Sequence, residues 1–208
     1  MLTCLGHGEK VFSMKTFLVL LMVIFSLQNL AKADDIGDFQ IDGISVGDTL
    51  LKYMSEDEIL IEKEKTKNYY SHLGNPLFYE IYSFGRSNQY NNISFFLKPN
   101  DRNFIIQAIY GVKLYEKDIG KCYKQQNEII SELENLFKNL KKYSEEIPLG
   151  LDTSGQSIMK RTYYSFENQD IIAIECYDWH ESMQKGSPPN PDSLSLSINT
   201  KELFYWIN

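Results

Sequence analysis

The chain has 208 residues, 43% of them hydrophobic and 24% charged, with a formal net charge of −7. This balance excludes an intrinsically disordered chain. The acidity, with no Lys/Arg cluster interleaved with aromatics, excludes a groove that neutralises phosphates and disfavours anionic membrane surfaces.

The first segment reads as an export signal. Lys10 and Lys15 precede an apolar run over 17–25, and Ala31-Lys32-Ala33 forms a small-x-small cleavage pattern. Ser26, Gln28 and Asn29 interrupt the run too early for a comfortable membrane span, so an uncleaved anchor is the alternative reading. Met14-Lys15 makes a more usual start, which marks 1–13 as a mis-assigned upstream start and leaves Cys4 without a role. A lipoprotein needs a Cys directly after the run, where Asp34 stands. Cleavage after Ala33 removes Lys10, Lys15, Lys32 and Glu9 and leaves one still more acidic domain, 34–208.

That domain keeps two cysteines, Cys122 and Cys176, and export places them where disulfides form. A bond between them closes a loop of more than fifty residues, worth roughly 4 kcal/mol in the chain-entropy model. Two buried free thiols are the alternative.

In chain order, 34–43 is polar and acidic, expected to fray until Phe39 or Ile41 finds a surface. A short helix is expected over 49–54, and Ser55 with Glu58 fits a capping box that opens a second helical turn. The alternating charges of 62–67 read as a solvated face or loop. Aromatic and β-branched residues over 77–84 predict a strand, and 93–98 and 104–115 predict a hairpin around the turn trio Pro99-Asn100-Asp101.

Residues 118–140 show the strongest periodicity. Ile119, Cys122, Tyr123, Ile129, Ile130, Leu133, Leu136, Phe137 and Leu140 recur at helical spacing, and Asp118 is the expected N-cap. Lys138, Lys141 and Lys142 are expected in the last turn, complementing the helix dipole. Pro148 and Gly150 then break the chain, and 152–155 makes a turn. A second hairpin joins 158–166 to 171–177 through the turn 167–170, placing Ile172, Ile174, Cys176 and Asp178 on one face. A breaker-rich loop over 182–191 leads to a last strand, in which Leu194, Leu196 and Ile198 alternate, and 203–207 closes as a short helical turn.

Chemistry is densest over 175–182, at a strand end entering a loop. Asp178 and His180 are two apart and, with Glu181, could supply an oriented imidazole or part of a metal site; Trp179 offers a stacking surface. No glycine elbow, His-Glu-x-x-His motif or phosphate-cradling loop accompanies them, so the sequence assigns no catalytic residue, metal or cofactor. Trp179 packed over the sheet edge, with Asp178 and His180 meeting water, is the simpler reading. His72 could join a site only if the fold brings it near. The 14 tyrosines raise sugar stacking or a protein-binding patch, although their position in strands fits a core as well.

Residues 39–59 (FQIDGISVGDTLLKYMSEDEI), Cys122-Tyr123-Lys124, Asp152-Thr153-Ser154-Gly155, Cys176-Tyr177-Asp178-Trp179 and Thr200-Lys201-Glu202 resemble a group of small secreted proteins of marine alphaproteobacteria. The resemblance covers nearly all of 34–208 and implies an export route and a common fold, without implying a reaction. That group carries Ser where His180 stands, a departure that weakens an imidazole mechanism. Residues 44–51 and Leu73-Gly74-Asn75-Pro76 more faintly resemble the outer-membrane assembly lipoprotein family BamE/SmpA, with longer spacing and without its lipid-bearing Cys.

The expectation is therefore one α+β domain: an antiparallel sheet of about five strands, one long helix packed on one face, short terminal helices, and Cys122 joined to Cys176. The preferred function is a periplasmic or secreted non-enzymatic protein binding an unknown protein or small molecule of the cell envelope, on a sheet face or at the loop after Trp179. It has no nucleic-acid partner and no membrane span after cleavage. The alternatives are a hydrolase or metal-dependent enzyme centred on Asp178, His180 and Glu181, and a purely structural envelope component.

Overall fold

A computed structural model describes residues 35–74, 76–84, 87–137 and 140–207. The expected signal segment 1–33, its upstream start 1–13, Asn75 and Lys138 lie outside the described residues.

The strands are β1 (Tyr79–Phe84), β2 (Asn92–Leu97), β3 (Ile106–Glu116), β4 (Lys141–Pro148), β5 (Ile158–Ser165), β6 (Ile171–Asp178) and β7 (Asp192–Asn199). The helices are α1 (Glu56–Thr66), α2 (Ile119–Leu136), α3 (Glu181–Gln184) and α4 (Lys201–Ile207). All strands join one antiparallel sheet in the order β1-β2-β3-β7-β6-β5-β4.

The sheet of about five strands expected from the sequence is thus corrected to seven. The strand with no sequence signal is β4, which lies at the sheet edge and is exposed along nearly its whole length. A strand wet on both faces has no apolar alternation to display, and its charges discourage pairing with other chains. The long helix also stops earlier than its periodicity predicts. Phe137 caps α2 in an extended conformation, donating its N–H to Leu133 O at 2.8 Å, and its ring packs 4.7 Å from Phe39. Lys141 and Lys142 therefore begin β4 instead of ending α2, and Leu136, counted in the buried stripe, is 52% exposed.

The other elements follow local chemistry. Ser55 and Glu58 form the capping box, and α1 continues through most of the segment read as a solvated loop. Lys65–Glu62 and Lys67–Glu64 pairs support its wet side, and buried Thr66 donates its hydroxyl to Glu80 O at 2.6 Å. Asp101 accepts from the amides of Asn103 and Ile105, closing the β2–β3 turn. Between β5 and β6 the loop is Glu167-Asn168-Gln169, with Gln169 at φ 69°, because Phe166 N bonds Asp170 O.

One face of the sheet is closed. Ile93, Phe95, Ile109, Leu194, Ile198, Ile172, Ile174 and Cys176 project into a core covered by α2 and by the N-terminal segment through Ile36, Ile41, Ile44, Leu50 and Met54. Residues 34–43 were expected to fray, yet Ile36 and Ile41 are buried there. Gly111, in β3, lets the Tyr90 ring approach so closely that a Cβ would meet it at 2.7 Å. Helix α2 is fixed to β6 twice. Cys122 and Cys176 form a disulfide with Cα atoms 6.0 Å apart, and buried Gln126 donates its amide to Lys160 O and Ile174 O. Among the described residues, no helix is long and apolar enough to cross a membrane.

Replacing both cysteines by alanine is expected to lower the free energy of unfolding by about 4 kcal/mol, read from the shift in urea midpoint, and reducing the wild type should reproduce that shift.

Candidate functional site

The opposite face of the sheet is built differently, and the register of the strands says how. Directly opposed residues in antiparallel strands share a face. One row across the sheet reads Ser94, Tyr110, Ser197, Ala173, Tyr163 and Tyr143. The next reads Val112, Ser195, Glu175, Arg161 and Glu145. The central strand β7 contributes only Ser193, Ser195, Ser197 and Asn199 to this face, all of them buried. Small side chains in the middle of the sheet, between the larger Tyr110 of β3 and Tyr177 of β6, leave a depression. The polar row is the reason for the hollow.

Helix α4 roofs one end of it. Asp170 accepts from the N–H of Lys201 at 2.7 Å, tying α4 to the β5–β6 loop, and Leu203 is fully buried beside Phe78, Phe96 and Ala108. Phe204 and Ile207 then complete a pocket of about 170 Å³ whose floor and walls include Tyr110, Arg161, Glu175, Tyr177, Ser197 and Asn199. Phe204 also extends a ring row: it lies 6.0 Å from Tyr163, which stacks on Tyr143 at 4.9 Å and 16°.

Charge in the pocket is internally satisfied. Arg161 Nε donates to Glu175 Oε1 at 2.6 Å, Tyr177 donates its hydroxyl to Glu175 Oε2 at 2.9 Å, and Arg161 Nη1 lies 3.5 Å from Glu145. Burial works against the Arg161 charge, but Glu175, Tyr177 and Glu145 together outweigh it, and the guanidinium pKa is raised. Burial, followed by the same carboxylate, pushes Tyr110 and Tyr177 well above the usual phenol range. Both hydroxyls are therefore neutral throughout the physiological range. Among the described residues that line the pocket, one buried polar atom is left over. Asn199 is 1% exposed and gives its Nδ2 hydrogen to Ser197 Oγ at 2.9 Å, while its Oδ1 has no hydrogen-bond partner. A buried acceptor without a donor costs about 1–3 kcal/mol.

The residues singled out after β6 are held apart by separate partners. Asp178 accepts from the Tyr123 hydroxyl at 3.0 Å. The His180 ring bonds Ser182 Oγ through Nδ1 at 2.9 Å and caps α3, while its backbone N–H goes to Ser157 Oγ. Glu181 pairs with Lys185 at 2.5 Å, which lowers its pKa. Half-buried Trp179 donates its N–H to Asp192 Oδ1, and Gln184 binds the same oxygen. His72 sits on the turn Ser71–Leu73 with Tyr70 as its ring neighbour. Among the described residues, no three His, Cys, Asp or Glu side chains are placed to hold a metal ion. Asp152 organises the base of this region, accepting from Ser154 N, Ser157 N and the Ser157 hydroxyl.

Sequence reasoning reached Glu175 and Tyr177 only as neighbours of Asp178 and His180, and it did not single out Tyr110, Arg161, Ser197 or Asn199. The available signal was in β7, where Ser alternates with Leu and Ile. That pattern normally marks a strand with one watered face, and only the placement of β7 at the sheet centre turns it into a pocket floor. No protein-family model, curated protein or solved structure matches the chain. The class is therefore defined by the fold and the site alone: an antiparallel α+β sheet, closed by a helix on one face and carrying a tyrosine-rich polar pocket on the other.

Two substitutions test this geometry. Arg161→Met strands the Glu175 charge and is expected to cost about 3 kcal/mol in urea unfolding, with the double change Arg161→Met/Glu175→Leu recovering most of it. Asp152 has an ordinary pKa of 3.8, lowered in the fold by hydrogen bonds from Ser154 and Ser157. Its contribution is full above that value and fades as pH falls below it. Asp152→Asn should therefore lower Tm by several degrees at pH 7 and by progressively less as the pH is taken below 4.

Proposed function

We propose that the chain is an exported binding protein of the cell envelope, non-enzymatic, whose ligand occupies the pocket on the open face of the sheet. The observation that carries the reading is at Asn199, a residue lining the pocket whose buried Oδ1 lacks a donor among the described residues. A folded chain keeps such an atom at a cost, and a ligand that supplies the missing hydrogen relieves it. The remaining chemistry suits holding more than bond-making. Glu175 has both oxygens engaged, and the tyrosines are neutral, so the pocket offers donors, acceptors and rings without a free base. Export is supported by the apolar run and small-x-small pattern of the first 33 residues, together with the Cys122–Cys176 bond.

A ligand-observed NMR screen of water-soluble small molecules against residues 34–208 tests it, with hits mapped by 15N shifts. Hits that perturb Tyr110, Tyr177, Ser197 and Asn199 together are the expected result. Hits confined to 178–182 would move the site to the loop after β6, and a screen without any hit would overturn the reading.

A further inference from the structure

We infer that the pocket takes a neutral pyranose, one sugar ring seated against Phe204 with a hydroxyl or amide N–H donated to Asn199 Oδ1. The inference rests on the open-face pocket being the binding site and adds the chemical class of what binds there.

Charge is the first discriminator. Glu175 is engaged at both oxygens, by Arg161 and Tyr177, so the two charged side chains that line the pocket offset each other. A cationic ligand would be desolvated beside Arg161, and an anionic one beside Glu175. Each must break an existing pair or remain uncompensated, which is the costly way to bury charge. Neutral ligands carry no such cost.

Hydrogen-bond polarity is the second. Asn199 Oδ1 requires a donor, the Tyr177 oxygen, whose hydrogen goes to Glu175, is left to accept, and the neutral Tyr110 hydroxyl both donates and accepts. A purely apolar ligand would leave Asn199 as it is. A polyol, each of whose hydroxyls donates and accepts in turn, fits a lining of that mixed kind.

Surface shape is the third. About 170 Å³ holds one small ring and no polymer, and Phe204 at the rim continues into the Tyr163–Tyr143 stack along β5 and β4. Aromatic faces of this sort accept the C–H face of a pyranose, apolar on its flat side and polar at its edge. Tyr143 is 45% exposed and Tyr205, on α4, 65% exposed, so further sugar units would lie across rings that already face water.

The test is a 15N-shift titration of residues 34–208 with D-glucose, D-galactose, D-mannose and N-acetyl-D-glucosamine, alongside 1,4-diaminobutane and benzoate as cationic and anionic comparators. Saturable shifts at Tyr110, Tyr177, Ser197 and Asn199 with at least one sugar, and with neither comparator, are expected. Saturation of the same amides by a comparator alone would overturn the sugar class while leaving the pocket as a binding site. Failure of all six probes would overturn the sugar class, and sugar shifts clustered elsewhere would overturn the pocket as well. Asn199→Leu, which removes the partnerless oxygen, should weaken sugar binding at least tenfold with Tm unchanged or raised. Phe204→Ala, at a half-buried position of α4, should weaken it independently should Asn199→Leu fail to fold. Wild-type affinity in either folded variant would refute the proposal.

Discussion

Within the sheet, the two antiparallel meanders β1-β2-β3 and β4-β5-β6 are joined through β7, which pairs with β3 along one side and with β6 along the other. Because side chains alternate along a strand, β7 also divides the chemistry of the molecule. Leu194, Leu196 and Ile198 face the helix-covered core, and Ser193, Ser195, Ser197 and Asn199 face the other way. A slip of one residue in its pairing would put four polar side chains into the core and three aliphatic ones into the pocket, so the register is held from both sides.

Closure on one face is what leaves the other available. Helix α2 cannot slide on the sheet, since the disulfide and the Gln126 amide fix it to β6 at successive turns. The rigid layer beneath the pocket is thus covalently braced, while the pocket itself consists of side chains standing on strands. Sites built on strands hold their geometry more closely than sites on loops. The Glu175–Arg161–Glu145 ladder benefits directly, because its three members come from opposed positions on three adjacent strands.

Much of this fold is legible in the chain. The two hairpins, the capping box at Ser55, the alternation of β7 and the pairing of the cysteines each have a local cause that the sequence displays. Strand β4 is illegible because Lys141–Pro148 is wet on both faces, and the end of α2 because the ring of Phe39, a hundred residues away, competes for Phe137. The pocket was hidden for a subtler reason. A four-residue turn over 167–170 pairs 166 with 171 and sets Arg161 opposite Cys176, pointing it to the wrong face, whereas the three-residue loop pairs it with Glu175. Gln169 adopts its left-handed conformation without being Gly or Asn, so nothing in the loop announced its length.

The place of β7 in the sequence has a consequence for how the molecule assembles. It follows the other six strands, yet it occupies the middle of the sheet. Until it docks, β3 and β6 each present an unpaired edge, and the half-built sheet resembles an open jaw with two adhesive rims. Closing that jaw requires contacts between segments far apart in the chain, the slow kind of event in β-rich folding. Another copy of the chain could lend its own β7 to the gap during that interval, so intertwined dimers are the misassembly to which this topology is most exposed.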